Sequence, residues 1–238
     1  GDCTVQPHFD YPHAYLADLP SKLTATGVGR GYRADEAAEE TPPPRKEVQL
    51  RAPLFEQGEK KLTPAEIGTA HHLFMQFCDF DAACAPNGVE NELNRLAEKK
   101  ILSTEQAYAV DKRKIERFFA SDLYKTFMAE NKVRREFKFS VLVPVQAYFP
   151  VAADAPEENV LLQGVIDCLI ETRDGFVILD FKTDRIKKGG AVERAEQYRP
   201  QLAAYARAVH EIYGRPVRAC VLYFFHTGDT EWVSLDED

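Results

Sequence analysis

Asp167, Asp180 and Lys182 stand in a stretch, GVIDCLIETRDGFVILDFKTD (residues 164–184), that is otherwise rich in Val, Ile, Leu and Phe. An ionised carboxylate in an apolar strand is costly unless something pairs with it. Either neighbours satisfy these groups as a structural Asp–Lys pair, or the carboxylates hold a metal. Two carboxylates and an ammonium in one small patch suit a hard cation, since Mg²⁺ and Mn²⁺ take carboxylate and water oxygens. A cation so held can polarise a phosphodiester and acidify a bound water. Lys182 would then orient the attacking water or stabilise the extra charge on phosphorus.

The strands that carry these residues set their geometry. The Asp174-Gly175 pair between apolar runs predicts a two-residue hairpin loop. With that loop, Asp167 lies opposite Lys182, and Asp180 opposite Leu169. Alternation puts Asp180 and Lys182 on one face, with Asp167 as the diagonal neighbour of Asp180, about 7–8 Å away between Cα atoms. A slip of one residue would turn one strand's side chains to the other face.

Two helices offer further candidates. Thr63, Pro64 and Glu66 open one of them with a capping box and a proline at the first position. On it Ile67, His71, Phe74, Met75 and Cys78 form an apolar stripe, and Gly68, His72, Gln76 and Asp79 a polar side. That polar side suits a cleft or plain solvent, and the adjacent His71 and His72 leave open which one matters. On the other helix, read as starting at Pro200, Gln201 and Tyr205 share a face. They can reach a phosphate or a base edge, or serve as a packing edge.

The remaining elements follow from periodicity and caps. Helices are expected near 88–99, 104–119 and 121–130, and strands at EFKFSVLV, VLLQGVIDCLIE, GFVILDFK, VRACVLYFF and TEWVSL. This order predicts an α/β fold: a mixed central sheet flanked by helices, plus an N-terminal helical part. The organisation expected is an arm or link over 1–33, an acidic, proline-rich flexible linker over 34–48, and one domain over 49–238. Within that domain the helical part spans about 60–130 and the core about 131–238. The leading Gly1 points to a piece cut from a longer chain.

The 238 residues, 45% hydrophobic and 29% charged, are those of a globular protein without a membrane span. Five scattered cysteines with no C-x-x-C pair argue against disulfides, zinc and an iron–sulfur cluster, and fit a reducing cytoplasm. The net charge of −8 gives nucleic-acid binding no support, yet local basic clusters exist. One holds Lys132, Arg134, Arg135 and Lys138; another holds Lys182, Arg185, Lys187, Lys188, Arg194, Arg199 and Arg207. From charge alone both read as solvated faces.

Five pieces in order, GTAHHLFMQ (68–76), REF (135–137), GVID (164–167), LDFKTD (179–184) and QYRPQLAAY (197–205), resemble the PD-(D/E)XK nuclease superfamily. Within it they are most similar to the nuclease domains of RecB- and AddA-type helicase–nucleases, and the opening residues look like the link that precedes such a domain. The resemblance implies a restriction-endonuclease-like core. It implies a metal, Mg²⁺ or Mn²⁺, held by His72, Asp167, Asp180 and the backbone carbonyl of Phe181, with Asp167, Asp180 and Lys182 as the catalytic set. Gln201 and Tyr205 match the motif that supports substrate binding, and Glu136 a recurrent glutamate whose role is open. It further implies an exodeoxyribonuclease acting on single-stranded DNA fed from an unwound duplex end. The setting implied is bacterial and nucleoid-associated, with an AddB-type partner and a helicase part outside this chain. No ATP-binding G-x-x-x-x-G-K-[ST] loop occurs here. A catalytically silent DNA-binding or docking module, or a free-standing exonuclease of the same superfamily, are the alternatives.

Overall fold

A computed structural model describes Leu16 and residues 19–28, 62–149 and 158–235. The expected linker 34–48 and most of the expected arm lie outside these residues. In chain order the elements are β1 (Lys22–Thr24), α1 (Ala25–Val28), α2 (Pro64–Phe77), α3 (Phe80–Ala83), α4 (Gly88–Glu98), α5 (Thr104–Ala109), α6 (Lys112–Ala120) and a π-helical turn (Leu123–Met128). Then come β2 (Lys132–Pro144), a 3-10 turn (Val145–Ala147), β3 (Asn159–Thr172), β4 (Gly175–Lys182), α7 (Ala191–Tyr213), β5 (Val217–Phe224) and β6 (Thr230–Val233).

The described strands form one mixed sheet in the order β1-β3-β4-β5-β6, with β2 also on β3. A strand has two hydrogen-bonding edges. Antiparallel β2 occupies one edge of β3 from Asn159 to Glu171. The other edge is divided: parallel β1 pairs with Leu161–Gln163, and antiparallel β4 with Cys168–Thr172. Residues 164–167 fall between the two and pair with neither, so the sheet opens there, beside Asp167. The α/β fold expected from the sequence is the fold that forms.

Each face of the sheet is covered. On one, helices α2 to α6 bury an aromatic core in which the Phe118 ring meets Phe181 and Tyr223 at 5.2 and 4.9 Å between centroids. On the other, Leu202, Ala208 and Val209 of α7 share a core with Ile178, Cys220 and Leu222. Burying a large apolar side chain stabilises the fold by about 1.5–3 kcal/mol.

Three local expectations need correction. The hairpin loop is Arg173-Asp174, because the observed pairs are Thr172↔Gly175 and Cys168↔Leu179. Gly175 has φ +147, and a Cβ on it would lie 2.3 Å from the Pro216 carbonyl oxygen. The glycine is therefore required by the chain before β5, which accepts the Phe176 N–H, and not by the turn. Continuing the ladder, Asp167 faces Asp180 and not Lys182. The shift is two residues, so the expected shared face survives.

Second, the helix expected over 104–119 is two, α5 and α6. Its S-T-E-Q capping box forms on Ser103 and Gln106, but the chain breaks at Val110-Asp111, where the Asp111 N–H goes to His71 Nε2 at 3.2 Å. Third, α7 begins at Ala191 and contains Pro200 in its interior. Proline at the first position is only a preference, and the helix-forming AVERAEQY segment, together with burial of the whole helix face, outweighs one missing N–H.

Arg134 and Arg135, read as solvated, are engaged: Arg135 donates to the Met75 and Cys78 carbonyls at the end of α2, and Arg134 to the Tyr213 hydroxyl. Below that helix end, Glu92 of α4 is buried and accepts the Asp79 N–H at 2.6 Å and the Arg95 guanidinium at 2.6 and 2.7 Å. Its carboxyl is held below the usual range, first by the Arg95 hydrogen bonds. A lowered folded value stabilises above the unfolded value, about 4.3, and that contribution is lost as pH falls through the folded one. The stability difference between wild type and Glu92→Gln, from urea unfolding, is expected to be largest at neutral pH and to shrink below about pH 4. A difference that does not change with pH would show that the charge of Glu92 contributes nothing.

Candidate active site

Four pieces of chain meet at the opening in β3. Asp167 sits at its end, on a part of the strand where alternation slips. Cys168 and Ile170 pack under the helices of α2–α6, whereas Leu169, but also Ile166 and Leu162, pack on the α7 side. The facing position on β2 is Glu136, whose φ of +50 is a left-handed backbone that glutamate rarely adopts. Strain of this kind persists only where its surroundings impose it. It turns Asp167 out of the regular ladder, and Asp167 Oδ2 accepts the Phe181 N–H at 2.7 Å where β4 pairing has ended. In a strand the carbonyl leaves on the same edge as its own N–H, so the Phe181 oxygen also faces the opening.

Helix α2 brings the imidazole. Gly68 lies against the end of β4: a Cβ there would be 2.8 Å from Thr183 Oγ1. One turn further on, His72 Nδ1 stands 3.4 Å from Asp167 Oδ1. Its neighbour His71 is fully used elsewhere. It is buried, with Nδ1 2.9 Å from the Ile67 carbonyl and Nε2 accepting the Asp111 N–H. That second bond fixes the neutral tautomer with the proton on Nδ1, and burial first of all lowers its pKa. The structure thus separates a structural histidine from one that faces the carboxylates.

Lys182 is held from three sides. Its Nζ is 2.6 Å from Asp180 Oδ2, donates to Gln201 Oε1 at 3.2 Å, and lies 3.8 Å from the centre of the Tyr198 ring. Gln201 donates in turn to the Tyr205 hydroxyl at 2.7 Å and to Thr26 Oγ1 at 3.5 Å. Beside them Asp184 accepts from the Tyr198 hydroxyl at 2.5 Å and from Arg194 at 3.0 Å. His72, Asp167, Asp180, Phe181, Lys182, Gln201 and Tyr205 all line one pocket of about 320 Å³. Gln201 and Tyr205 are only 5% and 3% exposed. They therefore stand behind Lys182, and their reach is to the lysine.

The site is crowded with negative charge. Asp180, 4% exposed, has its pKa raised, first by burial and then by the Asp167 charge, against the pull of Lys182. Glu136 is raised likewise by burial and then by Asp167. For His72 burial is the largest effect and lowers the value, but the hydrogen bond and charge of Asp167 with the charge of Asp180 outweigh it, and the net shift is upward. The Asp180–Lys182 contact lacks hydrogen-bond geometry, so Asp180 Oδ2 is a buried oxygen without a hydrogen-bond partner. These features fit a divalent cation: an imidazole, two carboxylates and a strand-edge carbonyl supply suitable donors, and a cation relieves the repulsion. Among the described residues no three such side chains are gathered into a finished coordination set, because Asp180 leans on Lys182.

Sequence reasoning missed Thr26, Tyr198 and the Asp184–Arg194 pair. Tyr198 was within reach, one turn before Gln201 on the same helix. Thr26 carried no signal, since a short strand and turn distant in sequence bring it here.

A family model for the PD-(D/E)XK nuclease superfamily matches residues 45–234. Among curated proteins the chain is similar to three that are each the A-type component of an ATP-dependent helicase/nuclease. That of Moorella thermoacetica is 40% identical over 221 residues, which is 92% of this chain and 15% of the relative. Those of Desulforudis audaxviator and Thermoanaerobacter sp. (strain X514) are 35% and 33% identical, each over 93% of this chain and 18% of the relative. The chain thus spans less than a fifth of the length of these relatives.

The two histidines are expected to behave oppositely. His71→Ala removes two hydrogen bonds and a ring packed 5.7 Å from Phe225, and should lower unfolding stability by roughly 2–4 kcal/mol. His72→Ala, at the rim of the pocket, should change it by no more than about 1 kcal/mol. Urea unfolding of both variants decides, and equal losses would refute the division of roles.

Proposed function

This chain belongs to the PD-(D/E)XK nuclease superfamily, and we propose that it is the metal-dependent nuclease domain of an ATP-dependent helicase–nuclease, hydrolysing phosphodiester bonds of single-stranded DNA. The observation that carries this reading is the meeting of His72, Asp167, Asp180 and Lys182 around one pocket, from two strands and a helix. Mg²⁺, or Mn²⁺, bound by His72, Asp167, Asp180 and the Phe181 carbonyl would supply Lewis-acid polarisation of the phosphodiester and an acidified water.

The rest of the chemistry belongs to this chain. The ammonium of Lys182, fixed by Asp180, Gln201 and Tyr198, orients the water whose oxygen attacks phosphorus and stabilises the charge that builds there. As the new P–O bond forms, the bond to the departing sugar oxygen breaks. Gln201 and Tyr205 support substrate binding through the lysine they hold. Glu136, opposite Asp167, adds to the negative potential that favours a cation. No base-reading group is needed, since contacts to phosphate carry no sequence information.

The relatives' names support the wider setting: a helicase part delivers unwound strands, an AddB-type protein is the partner, and double-strand break ends are processed for recombination in the bacterial cytoplasm. Among the described residues no helix is long and apolar enough to cross a membrane. We assign residues 49–238 to the nuclease domain and 1–33 to the link from the preceding part, with β1 and Thr26 of that link completing the pocket wall.

Purified chain with Mg²⁺ or Mn²⁺ is expected to shorten a labelled single-stranded oligonucleotide, and EDTA to stop it. Asp180→Asn and Lys182→Ala should each lose about 100-fold or more in rate while keeping the wild-type circular dichroism. Calorimetry should show Mn²⁺ binding that Asp167→Ala abolishes. Cleavage by the variants at the wild-type rate would remove the site assignment, and wild-type Mn²⁺ binding with no cleavage would favour a docking module.

A further inference from the structure

Beyond the Gly68–Thr183 contact lies a second pocket, of about 340 Å³, that shares Thr183 and Asp184 with the first. Its polar lining is cationic: Lys114 from α6, Arg185 after β4, and His226 from the turn between β5 and β6. The acidic groups close by are already engaged. Asp184 is bound by Tyr198 and Arg194, and Asp111 stands 3.5 Å from Lys114. Arg185, exposed and three residues beyond Lys182, makes no hydrogen bond, ion pair or ring contact with the described residues. In a chain of net charge −8, an unpaired guanidinium in a concavity next to the catalytic pocket is the position that an anion would neutralise.

The pocket is also built in place. Arg117, on the same face of α6 as Lys114, donates to the carbonyls of Phe225 and His226 at 2.6 and 3.2 Å, which fixes the wall carrying His226. Gly228 is required for this, since a Cβ there would lie 2.5 Å from Arg117 Nε. Across the opening, the missing side chain of Gly68 keeps the ridge between the two pockets low. A strand leaving the catalytic pocket can cross this ridge with its backbone.

We propose that this second pocket is a subsite for the DNA phosphate next to the one being cut, held by Arg185 with Lys114 beside it. The proposal rests on the nuclease reading for what occupies the first pocket. Guanidinium and phosphate pair by charge-assisted, bidentate hydrogen bonds, and the contact is indifferent to base.

Binding and cleavage test it separately. With EDTA present, the affinity of a 5′-fluorescein-labelled oligothymidylate, measured by anisotropy, is expected to fall about ten-fold in Arg185→Ala, with a slope of log Kd against log salt lower by about one. Arg185→Lys should restore most of the slope and less of the affinity. With Mg²⁺, an oligonucleotide bearing one neutral methylphosphonate linkage should be cut more slowly at the neighbouring linkage by wild type, by a factor similar to that of Arg185→Ala on the natural strand. Arg185→Ala should show no further slowing on the modified strand. Unchanged affinity and salt slope in Arg185→Ala, or a methylphosphonate effect that multiplies with the mutation, would overturn the subsite. A wild type that binds with the Arg185-dependent slope but never cleaves would keep the anion pocket and discard the nuclease reading instead.

Discussion

A carboxylate and an ammonium buried side by side in a sheet, Asp180 and Lys182, are the constraint around which this molecule is arranged. Removing each ion from water costs several kcal/mol, and mutual attraction repays it only with good geometry and further hydrogen bonds. Here the geometry is incomplete: Asp180 keeps an oxygen without a hydrogen-bond partner. The lysine, by contrast, is fully attended by Gln201 and the Tyr198 ring. Replacing such a pair by apolar residues of similar volume is often neutral or stabilising. The pair therefore has no account in folding alone, and the arrangement makes sense as a lysine kept in position next to a carboxylate that is left with spare bonding capacity.

The fold supplies this arrangement through topology. β3 is shared along one edge by β1 and β4, which approach from opposite ends and do not meet. The unpaired length between them lets the Asp167 side chain and the Phe181 backbone meet where a regular ladder would have closed. Helix α2 reaches that point because Gly68 allows it to abut Thr183, and α7 reaches it as the crossover between parallel β4 and β5. The cleft is a defect in the sheet that three neighbours maintain.

Much of this was legible in the sequence, for reasons that can be stated. Period-two alternation with a turn signal was enough to bring Asp167, Asp180 and Lys182 onto one face, because the error in the loop was an even number of residues. The loop itself was misread because the glycine after Asp174 answers to Pro216, some forty positions later, and local turn preferences cannot see that. The start of α7 was misread because Pro200 is tolerated inside a long, well-buried helix. The slip of alternation at Glu136 and Asp167 was not legible at all. A positive φ on glutamate is imposed by tertiary structure, and nothing in its neighbours announces it. His71 and His72 show the same limit, since adjacent residues of one type differ only by which carbonyl, N–H or carboxylate the fold brings to each.

The division of labour around Lys182 has a consequence for how the site fills. Of the three groups that hold the lysine, only Asp180 is also a candidate metal ligand; Gln201 and Tyr198 are not. A cation taking up the free oxygen of Asp180 weakens one attachment of the ammonium and leaves the other two, along with the Tyr205 and Thr26 contacts that steady Gln201. The lysine thus keeps its place whether or not Asp180 is shared. Had it been held by carboxylates alone, filling the site would release it into the pocket at the moment it is needed. The neutral partners on α7 remove that conflict, which gives their burial behind the lysine a physical reason.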